Sequence, residues 1–208
     1  VCESLLHRRI FRVNKRLGYM HMSLAFGWFL LIVVGWIETM AYLGARWVPL
    51  QGHVFFKYFA ALNGINSHIA IFDFVMDFLL AVVLSGLLMA WFKRIYSRAV
   101  GMRRTTRHTL GDRLALSFLW FIFPLRLVAE SVTVAVYGGG GFLTGTLGEA
   151  ILRYVPYDII EVLYTHSWWL YSSALGIFFV AMPFSRYMHI LTEIPLIFLR
   201  RWSLRPTK

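Results

Sequence analysis

The sequence predicts an all-α fold: a polytopic membrane four-helix bundle with both termini cytoplasmic. Composition is the first ground for this. Of 208 residues 59% are hydrophobic and only 15% charged, with a mean hydropathy of +0.63, values a soluble domain of this length does not show. The second is the length of the apolar runs. Crossing a bilayer takes roughly 20 apolar residues, and four stretches supply them: 19 to 43, 69 to 92, 112 to 137 and 163 to 185, the last with an extension towards Trp202. The third is where the charge sits. Arg8, Arg9, Arg12, Lys15 and Arg16 precede the first span, Lys93, Arg94, Arg98, Arg103, Arg104 and Arg107 lie between the second and third, and Arg200, Arg201, Arg205 and Lys208 follow the fourth. With four spans these three groups share one side. The opposite loops hold only Arg46 and Lys57 in one and Arg153 in the other, so the positive-inside rule predicts a cytoplasmic location for both termini in a cell inner membrane.

The elements follow in order. The basic stretch from His7 to Arg16 is not followed by a small-residue cleavage site, so the first span is read as retained rather than as a signal peptide. Val1 in place of Met is compatible with a longer chain upstream, and residues 1 to 208 read as one membrane domain. The second span carries Asp73 and Asp77 on one helix face, and the third carries Arg126 and Glu130 on one face. Gly138 to Gly141 reads as a flexible turn, followed by a short interfacial helix around Leu147 to Tyr154. The fourth span opens near His166 and the Trp168–Trp169 pair, and no internal repeat relates the spans.

The formal charge of +11 does not point to nucleic acid, because the basic residues collect at span ends; that surface is expected to meet anionic lipid heads. Cys2 is the single cysteine. An iron–sulfur cluster generally takes four cysteine ligands, so any cluster belongs to a partner.

Of the seven histidines, His7, His53 and His108 read as solvated loop residues, and His68 and His166 as interfacial ones. His21 and His189 differ. Each lies about a turn or more inside an apolar segment, near the cytoplasmic face, on two different helices. An intramembrane histidine is costly unless paired or bound, and a neutral imidazole is an axial ligand for haem iron. Spacing and depth alone leave haem ligation and a satisfied hydrogen bond both open.

The run PFSRYMH at 183 to 189, with two tryptophans upstream and FLRRW after it, resembles the last helix of the nitrate reductase gamma subunit and of its relatives, the membrane cytochromes of heterodisulfide reductase and of sulfite-reductase-linked complexes. Weaker similarity lies in RLGYMHMSLAFGW, IFDFVMDFLLAVVLSGLLMAWFKR and GDRLALSFLWFIFPLRLVAES, so that the resemblance covers roughly residues 12 to 202. It implies a membrane cytochrome b of the electron-transport chain that exchanges electrons between a membrane quinone and a cytoplasmic iron–sulfur protein, in a hetero-oligomeric oxidoreductase complex. It also implies His21 and His189 as axial ligands.

The chain departs from the two-haem members of that family. In those, the last helix bears a second histidine 18 residues before the inner one, five turns of a continuous helix or about 27 Å; here position 171 is a tyrosine. The partner helix of those members bears one ten residues further along; here position 31 is a leucine. Both outer ligands are missing together while both inner ones remain, so one haem b is expected, between spans one and four. His166 lies 23 residues before His189, about 140° off the ligand stripe, and pairing with His68 would put a haem in a new place.

Glu38, Asp73, Asp77, Arg126 and Glu130 fall in the outer half of the bundle. Arg126 and Glu130 read as a buried pair that holds helices together, or some of these carboxylates carry protons from a quinol outward, with Asp77 and Glu130 the first candidates. Trp168, Trp169 and Tyr171 could line a quinone cleft, the tryptophans otherwise forming an interfacial belt. A haemless anchor for a redox complex is the alternative, and a small transporter lacks the broken helices and repeated halves that role calls for.

Overall fold

The computed structural model describes residues 14–42, 69–101, 109–185 and 188, and among them all regular structure is helical. The elements are α1 (Lys15–Tyr42), α2 (Ile69–Ala99), α3 (Leu110–Tyr137), α4 (Phe142–Tyr154), α5 (Tyr157–Ala181) and a 3₁₀ turn at Met182–Phe184. Four segments, Lys15–Ile37, Ile71–Ala99, Leu110–Tyr137 and Tyr157–Phe184, are long and apolar enough to cross a membrane. They coincide with the four expected spans because an unbroken apolar run is the one signal a bilayer demands. Phe29, Trp36, Phe74, Phe78, Phe121 and Val180 are exposed on the outside of the bundle, as side chains that meet lipid would be.

Helix ends are set by local chemistry where the chain supplies it. Thr109 and Asp112 form a reciprocal capping box at the start of α3, with Thr109 Oγ1 accepting from the Asp112 N–H at 3.2 Å and Asp112 Oδ2 accepting from the Thr109 N–H at 3.1 Å. Pro124 lies inside α3 without ending it. α5 begins at Tyr157, six residues before the expected start of that span, with Pro156 as its N-cap at φ −57° and ψ 142°. At the other end α5 does not run on: Pro183 falls in the 3₁₀ turn and Ser185 is extended, at φ −124° and ψ 165°. The helix that carries Tyr171 is therefore interrupted at the 3₁₀ turn, and the expected extension past residue 185, His189 included, lies outside the described residues.

Two helix pairs carry most of the packing, α1 with α2 and α3 with α5, and α4 rests chiefly on α3. In the first pair the backbones close on small residues. A Cβ on Gly86 would overlap Ser23 Oγ, one on Gly27 would lie 2.7 Å from Val83 Cγ2, and Tyr19 OH and Ser85 Oγ share a 2.6 Å hydrogen bond. In the second pair Ala115, Ile122 and Ala129 of α3 pack with Trp168, Tyr171, Leu175 and Phe178 of α5. Trp28 of α1 joins the two pairs, its ring edge-on to Phe123 at 5.7 Å and to Phe178 at 5.2 Å.

These contacts define two ends. One gathers the start of α1, the end of α2, the start of α3 and the 3₁₀ turn, where Gly111 lies against the Phe184 backbone. Lys15, Arg16, Lys93, Arg94, Arg98 and Arg113 are placed there, and it is called the basic end below. The other end gathers the start of α2, the glycine turn, α4 and the start of α5, with Glu149, Asp158, Glu161 and Arg153 exposed. Residues 138 to 141 form no loose tether. Gly138, Gly139 and Gly140 have φ of 76°, 83° and 86°, a region L side chains rarely enter, so the sequence turns sharply back onto the bundle.

Candidate functional site

Two constellations hold the chemistry, one at each end. At the glycine end Asp77 is 2% exposed and receives three hydrogen bonds from α4. Its Oδ2 accepts from the Leu143 N–H at 2.7 Å and the Thr144 N–H at 2.9 Å, and its Oδ1 accepts from the Thr144 hydroxyl at 2.9 Å. The first amides of any helix lack intrahelical partners and carry positive partial charge, so a carboxylate is their natural acceptor. Residues 138 to 141 are all glycine and offer no capping side chain, which leaves that function to α2. This is why α4 begins at Phe142, five residues before the expected start.

One turn earlier on α2, half-buried Asp73 interacts with the Gly140 backbone and faces both Asp77 and Glu130. Glu130 accepts from Arg126 Nε at 2.8 Å, and Arg126 is 2% exposed. The expected buried pair is thus present, but it runs along one helix at i and i+4 and does not bridge two. The backbone at Glu38 lies in α1. Of the residues here, sequence reasoning picked out Asp77, Glu130, Asp73 and Arg126 and missed Thr144 and the packing glycines. The available signal was a helix preceded by four glycines, which must find its cap elsewhere in the chain.

Trp168 is 1% exposed and donates from Nε1 to Thr133 Oγ1 at 2.7 Å, and the Thr133 hydroxyl donates on to the Ala129 carbonyl at 2.7 Å. It is a core residue and not part of an interfacial belt; Trp169 beside it is exposed. Tyr171 is buried edge-on against Trp168. Leu31 is fully buried, with Leu80, Val83 and Phe123 in its cluster. Exposed His166 donates from Nδ1 to the Val162 carbonyl at 2.7 Å. His68 and His189 lie outside the described residues.

At the basic end, His21 is exposed on α1. Seven residues separate it from Trp28, which is two turns less about 20°, so both occupy one stripe of the helix. Trp28 fixes where that stripe faces, because its ring lies 5.2 Å from Phe178 and 5.9 Å from Phe179 on α5. The backbones of α1 and α5 are not among the closely packed pairs, and the two helices meet through this tryptophan. His21 thus places an imidazole on α1 at the basic end, on the helix stripe of Trp28, whose ring reaches Phe123 of α3 as well as Phe178 and Phe179 of α5. No three His, Cys, Asp or Glu side chains converge on a metal-ion site among the described residues. Axial ligation asks for only one imidazole from each of two helices.

Comparison of the chain with models of known families, with curated proteins and with solved structures returns no match.

Proposed function

We propose that this chain is the haem b subunit of a membrane redox complex, similar to the nitrate reductase gamma subunit, exchanging electrons between a quinone and a cytoplasmic iron–sulfur protein. The observation that carries the reading is the position of His21, exposed at the basic end on the stripe that Trp28 turns towards the last span. His189 follows that span by sequence and is assigned as the opposite ligand. The haem would supply one-electron transfer within an apolar bundle. Burial of Leu31 and Tyr171 in packed clusters supports one haem, since neither position offers room beside an imidazole.

Asp77 and Glu130 are assigned to handle protons where a quinol is oxidised, because oxidation releases protons together with electrons and ionisable groups inside a membrane mark proton routes. Glu130 is the better placed of the two. Its Oε1 is held by Arg126 and its side chain is 16% exposed, whereas Asp77 is committed through both oxygens to α4. The basic end is assigned to the cytoplasm, which also puts its lysines and arginines against the partner and against anionic lipid.

A reduced-minus-oxidised optical spectrum of the purified chain tests the reading. Sharp b-type bands are expected. A spectrum without them would leave a haemless anchor for a redox partner.

A further inference from the structure

We infer that the basic end of the α1–α2 pair holds the phosphate of an anionic phospholipid between Arg16 and Lys93. The site needs neither haem nor quinone and rests only on the reading of this end as a membrane boundary. Its geometry comes from the close crossing of the two helices, where Ser23 lies against Gly86. Arg16 is seven residues before Ser23, and Lys93 is seven residues after Gly86. Seven residues is two turns less about 20°, so each basic residue stays on the stripe by which its helix meets the other. The contact of Gly27 with Val83, one turn further in, fixes the same antiparallel register. Both seven-residue steps therefore lead towards the basic end and cover about 10 Å each, which sets Arg16 and Lys93 at one level across the pair.

Two cations that face each other across a helix contact repel unless an anion lies between them. The described residues supply none. No acidic residue occurs from Lys15 to Ile37 or between Asp77 and Asp112, and Asp112 is buried in the capping box of α3. Arg16 and Lys93 are both exposed, and among the described residues neither takes part in an ion pair. Lys15 precedes Arg16, and Arg94 and Arg98 follow Lys93, so the charge at this point is of one sign. The start of α1 adds to it: Asn14 Oδ1 accepts from the Leu17 N–H at 3.1 Å, while the Lys15 and Arg16 amides have no acceptor within the helix, as at any helix start. What marks the anion as a lipid headgroup is the flank. Trp91, Phe92, Ile95 and Tyr96 are exposed together on one side of α2, continuous with exposed Leu88 further in, so an apolar surface for acyl chains runs up to the level of Lys93. Tryptophan and tyrosine beside lysine and arginine settle at the headgroup level of a bilayer. An acidic protein would match the charge and leave that flank uncovered. A lipid held here also fixes the start of the helix that carries His21 five residues on.

The test is native mass spectrometry of the full chain titrated with phosphatidylglycerol, phosphatidylcholine or inorganic phosphate. The first phosphatidylglycerol should bind more tightly than phosphatidylcholine, and inorganic phosphate should not displace it. Arg16→Gln and Lys93→Gln should each weaken that first binding by roughly fivefold, the contribution of one basic side chain near an anionic lipid surface, and the double variant by more. Lys93→Arg keeps the charge and should keep the affinity. Arg113→Gln removes an exposed charge from α3 at the same end and should leave the affinity unchanged. The single variants keep the test decisive should the double variant fail to fold. Equal affinity for the two lipids overturns the inference and leaves this charge to an acidic protein. Displacement of phosphatidylglycerol by an equal concentration of inorganic phosphate overturns it in favour of a free anion, and a loss in Arg113→Gln as large as in Arg16→Gln overturns it in favour of diffuse surface charge.

Discussion

A buried carboxylate in a membrane span invites a chemical role, and Asp77 shows how one side chain can be claimed by structure as well. Its oxygens already satisfy three donors of α4. Glu130 accepts from Arg126 Nε through Oε1. Glu130→Gln is therefore expected to slow quinol-dependent haem reduction by about tenfold or more, a typical contribution of a positioned proton acceptor, with haem content unchanged. Asp77→Asn should slow it too, with α4 loosened. Stopped-flow reduction beside a haem assay on the same preparations reads both, and loss of folded protein in both variants would assign these charges to structure alone. Trp168→Phe tests the core in a different way: it leaves the Thr133 hydroxyl bonded to Ala129 and removes both the indole donor and part of a buried ring. It should cost roughly 1–3 kcal/mol, a lost hydrogen bond together with the cavity left by the smaller ring, read as a lowered thermal midpoint; an unchanged midpoint would contradict the burial of that bond.

At the scale of elements, the close crossing of α1 and α2 depends on Gly86 lying against Ser23. Gly86→Ala should destabilise the chain by roughly 1–3 kcal/mol through overpacking. Ser23→Gly in the same chain should restore part of the loss, because it removes the atoms the new methyl meets; no recovery in thermal unfolding would mean that the crossing does not rest on this pair. The spans themselves were legible from sequence, since hydropathy alone fixes them, and so was the Arg126–Glu130 pair, which needs only i, i+4 spacing. What escaped was non-local. The start of α4 is decided by a carboxylate on α2, which no window around Phe142 contains, and the glycines before it read as looseness although three of them take up positive φ to make a tight return. The end of the last span near residue 185 was legible too, and Pro183 in the 3₁₀ turn is the local signal that goes with it. Trp168 was misread because an interfacial tryptophan and a buried one look alike until Thr133 is found opposite it.

For the whole molecule, the separation of charge between the two ends is the strongest sequence-derived feature that the fold preserves. Lys15, Arg16, Lys93, Arg94, Arg98 and Arg113 gather at one end, and Glu149, Asp158 and Glu161 mark the other. In a Cys2→Ser background, Ser97→Cys should be shielded from a membrane-impermeant thiol reagent in intact cells, and Tyr154→Cys should be labelled. The reverse pattern would place the basic end outside and overturn the assigned topology. The basic end is also where His21 lies and where the chain leads on towards His189, so topology and cofactor assignment converge on the same face.

The central claim is one haem b held between His21 and His189. A pyridine haemochrome assay against protein concentration tests it most directly. The expected ratio is one haem per chain in the wild type, essentially none in His21→Ala or in His189→Ala, and one again in His68→Ala and His166→Ala. A ratio near two, or half the haem surviving in the His189 variant, would contradict the account, because it would require a second site built on His166 or another residue, away from the positions where Leu31 and Tyr171 are packed as core residues.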